Sequence, residues 1–247
     1  MSGHNKWSTI KRKKGANDAA RAKVFTKIGR ELAVAVKEGG PDPSNNAKLR
    51  DVIAKAKQNN VPNDNIERML KKAAGDTDAN NYEEIIYEGY GPSGIAVVVE
   101  TLTDNRNRTA GEVRHYFDKC GGNMGTPGSV TFMFSRQGVI IIEKEDVDED
   151  TLMEDALEVG ATDFITDDDD IFEIRTEAND LGTVRDELEN KGYKVISSEA
   201  AYIPATYTRL ENEEDMKNMA KMIEMFDENE DVQNIYHNWE NEDEYEE

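Results

Sequence analysis

Cysteine is nearly absent. Cys120 is the single one in 247 residues, so no intramolecular disulfide can form, which fits a reducing compartment. Histidine is scarce too. His4, His115 and His237 are scattered along the chain and do not make a zinc site with one cysteine. Long apolar runs are missing. The longest, residues 95–99 and 139–142, fall far short of the ~20 residues that cross a bilayer. No apolar run follows the basic residues at the start, so the beginning does not read as a secretory signal. Glycine stands at position 3 rather than 2, outside the N-myristoylation pattern. The expectation is a cytoplasmic protein with no cofactor, no metal, no membrane contact and no small-molecule substrate.

Positive charge is missing from most of the chain. The net charge is −22, with 30 Lys+Arg against 52 Asp+Glu. Yet residues 1–75 hold 17 Lys+Arg and only 7 Asp+Glu, a net +10, which leaves −32 for residues 76–247. Such a split points to a polyanionic partner for the basic end, nucleic acid or an anionic surface.

The basic end begins with residues 1–17, which lack apolar periodicity and read as an extended arm carrying Lys6, Trp7, Lys11, Arg12, Lys13 and Lys14. A helix is expected from Asn17 or Asp18 to Gly39–Gly40. At roughly 100° per residue, Val24, Phe25, Ile28, Leu32, Ala35 and Val36 share one side, and Lys23, Lys27, Arg30 and Lys37 the other. Two more helices follow, at 44–59 and from Asp64 to Gly75, the latter started by a capping box of Asp64 and Glu67. The polar stretch 76–81 reads as a linker. Strands are expected at 84–90 and 95–102, then a helix 105–119 capped by Asp104, a loop 121–128, and a strand 129–135. Residues 138–198 read β-α-β-β-α-β, the split βαβ order of ferredoxin-like domains. Residues 206–238 supply a strand-like start, a helix at 211–227 and a strand at 232–237. The acidic end, 240–247, reads as disordered.

The fold class is therefore α+β. A three-helix domain (1–77) precedes an α/β domain built from 78–135 and 206–247, into which a ferredoxin-like domain (136–205) is inserted.

The runs SGHNKWSTIKRKKGANDAARAKVFTKIGREL, YEGYGPSGIAVVVETLTDNRNRTAGEVRHYF and GGNMGTPGSVTFMF, together with residues 42–75, resemble the YebC/PmpR family over nearly the whole chain. The resemblance implies the same three domains. It also implies a regulator of gene expression that is not an enzyme. Members are labelled probable DNA-binding transcriptional regulators, and mitochondrial relatives look like translation factors that act on the ribosome and relieve stalls at proline-rich stretches.

Phosphate contact takes several cations whose binding releases counterions. Lys6, Lys11, Arg12, Lys13, Lys14, Lys23, Lys27 and Arg30 provide them, and Trp7 can stack on a base. Arg106 and Arg108 sit in the first turn of a helix, where cations oppose the dipole. With Arg114 they either hold a second phosphate or pair with acids such as Glu100 or Glu112. The loop 121–128 reads as a plain turn, because its glycines match no Walker or Rossmann spacing. No helix-turn-helix spacing, zinc-finger pattern or RNP-type aromatic motif is present. His115 and Cys120 lie across a helix end with no third orienting group, which argues against a catalytic pair. The expected partner is DNA or ribosomal RNA. The acidic remainder suits basic surfaces of a ribosome or an RNA polymerase, and the chain is expected to be a monomer.

Overall fold

The computed structural model describes residues 18–75 and 82–245. Among these, residues 18–75 and 136–201 form one compact unit, and 82–135 with 202–245 form another.

In the first unit, α1 (Asp18–Gly39), α2 (Ala47–Gln58) and α3 (Asn63–Gly75) enclose their own core of Ile28, Leu32, Ala35, Leu49, Val52, Ala56 and Ile66. The turn between α1 and α2 is fixed by Asn46, not by proline alone. Its side chain caps α2 by accepting from the Leu49 N–H at 3.0 Å, and it donates to the Ala35 and Gly40 carbonyls at 2.7 and 2.8 Å. This shortens α2 to start at residue 47. Helix α3 starts one residue ahead of the expected box, because the Pro62 carbonyl accepts from the N–H groups of Asn65 and Ile66.

The rest of this unit is a four-stranded sheet with α5 (Glu149–Glu158) and α6 (Leu181–Asn190) on one face. Its strands are β4 (Phe134–Glu143), β5 (Asp163–Ile165), β6 (Ile171–Glu177) and β7 (Val195–Pro204), in the order β5-β6-β4-β7. With β4-α5-β5-β6-α6-β7 in sequence, this is the ferredoxin-like arrangement. Alternation sends Ile140, Ile142, Phe172 and Ile174 toward Leu152, Val184 and Leu188 on the helices. The opposite face is also buried. It carries Val139 and Ile141 and an ion pair between Glu173 and Arg175 on one strand.

Two contacts join the helical part to this sheet. Gln58 Nε2 donates to Ser198 Oγ at 2.9 Å, and the Ser198 N–H donates to Gln58 Oε1 at 3.1 Å. Arg185 on α6, 2% exposed as a residue, reaches Asp51 on α2 at 2.9 Å and Asp186 at 2.7 Å.

The second unit has the sheet order β3-β1-β2-β8, from β1 (Glu83–Tyr90), β2 (Ala96–Thr103), β3 (Asn123–Met124) and β8 (Val232–His237). Strand β2 is central, which is why residues 95–99 read as one apolar run: all five are fully buried, whichever face they point to. Helices α4 (Arg106–Lys119) and α7 (Glu213–Glu228) pack through Val113, Phe117, Met219, Met222 and Phe226.

Three sequence expectations are corrected here. Residues 129–135 are not a separate strand: Thr131–Met133 make a 3₁₀ turn, and β4 runs unbroken from Phe134. Residues 206–209 form only a single bridge, from Thr208 to Trp239. Residues 240–245 of the acidic end are ordered. Trp239 just before them is fully buried, Asn241 accepts from its Nε1 at 3.1 Å and from the Leu210 N–H at 3.0 Å, and Tyr245 packs on the core. A charged composition hid one large apolar anchor.

Replacing Asp51 and Gln58 together by Ala removes both ties while touching neither core. Each hydrogen bond contributes about 1 kcal/mol. Amide exchange in α1–α3 should then quicken by roughly tenfold or more, with β4 and β6 unchanged. Equal acceleration in helices and sheet would show that the two parts do not depend on these ties.

Candidate nucleic-acid interface

Lys6, Trp7, Lys11, Arg12, Lys13 and Lys14 lie outside the described residues. Of the remaining basic positions on α1, Lys23, Lys27 and Arg30 are half-buried rather than fully exposed. Val34, about 40° around the helix from Arg30 and one turn beyond it, is buried on the same side. The side of α1 opposite its core is thus a mixed surface, not an open cationic stripe.

Other cations of this unit are engaged internally. Lys55 pairs with Glu31 at 2.6 Å and ties α2 to α1, and Lys48 pairs with Glu38 at 3.0 Å. Exposed cations stand on all three helices: Arg21 and Lys37 on α1, Arg50 and Lys57 on α2, and Arg68, Lys71 and Lys72 on α3. The α3 group was legible in the sequence, because the spacings 68, 71 and 72 put all three on one side of a helix.

At the start of α4 the cap is Asn105, whose side chain accepts from the Arg108 N–H at 3.1 Å. Asp104, expected as the cap, instead pairs with Arg108 at 2.9 Å. Arg108 also reaches Asp231 at 2.6 Å. Asp231 is 3% exposed and accepts from Thr109 Oγ1 at 2.8 Å and Thr103 Oγ1 at 3.2 Å. The hydrogen bonds to Asp231 and Asp104 raise the Arg108 pKa further. Its charge is matched by two carboxylates that lock α4 to the start of β8. Arg106 differs. Its side chain is 69% exposed and only 3.9 Å from Glu83. Arg114 is exposed on the same helix.

The loop 121–128 is organised by Glu88. This carboxylate, on a residue 6% exposed, accepts from the Gly128 N–H at 2.7 Å and from the Val130 and Thr131 N–H groups at 2.8 Å. Burial pushes its carboxyl up, but the donors from Gly128, Thr131 and Val130 prevail and hold it below the ordinary value of 4.5. A backbone cradle that can receive an anion is therefore filled from within.

Cys120 is fully buried, with Sγ 4.0 Å from Met225 Sδ, and burial pushes its thiol up. His115 is exposed. A buried protonated thiol does not act as a nucleophile. Among the described residues no group of three or more His, Cys, Asp or Glu is arranged to hold a metal ion, and no helix is long and apolar enough to cross a membrane.

Comparison with known proteins gives consistent matches. Residues 5–76 match the family model described as the TACO1/YebC protein N-terminal domain, and residues 82–239 the one described as the TACO1/YebC second and third domain. A probable transcriptional regulatory protein of Ruminiclostridium cellulolyticum is 58% identical over all of both chains. One of Acetivibrio thermocellus is 57% identical, over 97% of this chain and 99% of its own. A crystal structure of a conserved hypothetical protein from Aquifex aeolicus superposes with a TM-score of 0.81 at 41% identity, covering 90% of this chain and 91% of that one.

Acid should act on the Glu88 clamp. The carboxyl is held below 4.5 in the fold, so its contribution is complete at neutral pH and is lost as pH falls through the folded value. Glu88→Gln is expected to cost about 2 kcal/mol at pH 7, the scale of a hydrogen-bonded buried charge. In denaturant titrations its deficit against the parent should shrink below pH 4.5. A deficit that does not change with pH would contradict the clamp.

Proposed function

The chain belongs to the TACO1/YebC family, and from that membership we propose that it is a non-enzymatic regulator of gene expression that works by binding nucleic acid. The observation that carries this reading is the charge split, +10 on residues 1–75 against −32 on the rest. A surface of −32 repels a phosphate backbone, so the polyanion meets the basic end. The contacts proposed are Lys6, Lys11, Arg12, Lys13 and Lys14 with Trp7 as a stacking group, joined by Lys23, Lys27 and Arg30. Arg106 is a secondary contact; Arg108, expected beside it, is held by Asp104 and Asp231 and does not join it. The three-domain division separates the roles. The helical domain docks, and the two α/β domains offer their acidic surfaces to basic protein partners rather than to the polyanion.

The names of the relatives favour a transcriptional regulator, and in this reading the protein binds DNA in the cytoplasm. A second reading, a ribosome-associated translation factor that contacts ribosomal RNA, is favoured by α3. Asp64 and Glu67 are exposed in its first turns, where acids oppose entry of a recognition helix between the phosphate walls of a major groove.

Sedimentation through a sucrose cushion separates the two. Salt-dependent association with ribosomes, without preference among DNA duplexes, would overturn the transcription reading. At least tenfold preference for particular duplexes would overturn the ribosome reading. Changing Lys11, Arg12, Lys13 and Lys14 together to Glu should abolish binding in either case, and unchanged affinity would refute the basic-arm contact.

A further inference from the structure

A groove of about 530 Å³ runs between α2 on one side and α6 with the start of β7 on the other, inside the first unit. Its floor is apolar, formed by Ile53, Val195 and Ile196. Around it stand three exposed cations, Arg50, Lys57 and Lys194. Asn60 also lines it, exposed and in the left-handed region at φ 56°. The walls are fixed to each other by the Gln58–Ser198 pair and the Arg185–Asp51 bridge. The groove is thus a preformed cleft and does not require closure.

We propose that this groove binds a single-stranded segment of nucleic acid, with an unpaired base on the apolar floor and its flanking phosphates on Lys57 and Lys194. This rests on the nucleic-acid reading above and names where, besides the basic arm, the strand is held. The chemistry matches in three respects. An apolar floor suits the face of an unstacked base, which duplex DNA keeps inside its stack. Cations flanking the floor suit the phosphates on either side of that base. A side-chain amide can donate and accept, as reading a base edge requires, and Asn60 brings one to the lining.

The acids define which wall the strand follows. Asp186 shares the single charge of Arg185 with Asp51, so the Arg185 cluster keeps one net negative charge. Glu189 is exposed and lines the α6 wall. It repels phosphate, so the backbone keeps clear of α6 and crosses from Lys57 on the α2 wall to Lys194 at the start of β7. Arg50 is less available, because its guanidinium donates to the Pro43 and Ser44 carbonyls at 2.7 and 3.2 Å and holds the turn ahead of α2.

The experiment uses the full chain and fluorescent 12-nucleotide probes of mixed sequence: single-stranded RNA, single-stranded DNA, and the matching duplex. Lys57→Gln with Lys194→Gln should weaken single-strand binding about tenfold near physiological salt and flatten the plot of log affinity against log salt by about 1.4, at about 0.7 per phosphate contact. Glu189→Gln should tighten binding about threefold, a gain that a purely structural residue would not give. Photocrosslinks from 4-thiouridine should fall on peptides containing Ile53 and Ile196. The ratio of RNA to DNA affinity identifies which strand chemistry the groove takes. Unchanged affinity and salt slope in both variants, in a chain whose arm variant does lose binding, overturns the groove and leaves the nucleic-acid reading intact. Absence of binding to every probe by the parent chain overturns both.

Discussion

Like charges repel, and this chain has placed nearly all of its excess negative charge on one side of residue 75. With +10 before that point and −32 after it, the two ends face a polyanion with opposite signs. Any long-range approach of nucleic acid is steered toward the helical end, and this steering needs no particular side-chain geometry. The tie that joins the two regions in the first unit reverses the bulk polarity. An arginine of the acidic region, Arg185, is buried against an aspartate of the basic region, Asp51. A charge that is out of place on each surface is used where the surfaces meet, which leaves the remaining surfaces more nearly of one sign.

Some of the acids are not surface charge at all. Glu88, Glu173 and Asp231 are each less than a tenth exposed, and each has a local donor set. Glu88 takes three backbone N–H groups, Asp231 takes Arg108 and two threonines, and Glu173 takes Arg175. Buried charges are retained only when paired in this way. The consequence for function is exclusion. The 128–131 amides and the Arg108 guanidinium are the natural anion sites of the second unit, and both already hold carboxylates. Phosphate binding is therefore disfavoured where the net charge also disfavours it.

The sequence made the ferredoxin-like order, the helical start and the central strand at 96–103 readable, because each depends on local periodicity. It hid what depends on a distant partner. Residues 129–135 look like a strand by composition, but Glu88, some forty positions earlier, draws their amides into a turn. The end at 240–247 reads as disordered, but Asn241 bonds the indole of the buried Trp239 and the Leu210 N–H and ties it to the core. Asp104 is the cap expected from the sequence, but it pairs with Arg108, and Asn105 caps the helix instead. The basic stripe on α1 was legible as charge, but the burial of Val34 beside it was not. The groove beside α2 was invisible for the same reason, since its two walls lie more than a hundred residues apart.

The central claim is that nucleic acid meets this protein through its helical end and not through its acidic α/β surfaces. Ultraviolet crosslinking of the full chain in cells, followed by mapping of nucleotide-bearing peptides, tests it most directly. The account predicts adducts concentrated within residues 6–75, with a second cluster near residues 194–196. Adducts concentrated in residues 82–135 and 202–245 would contradict it.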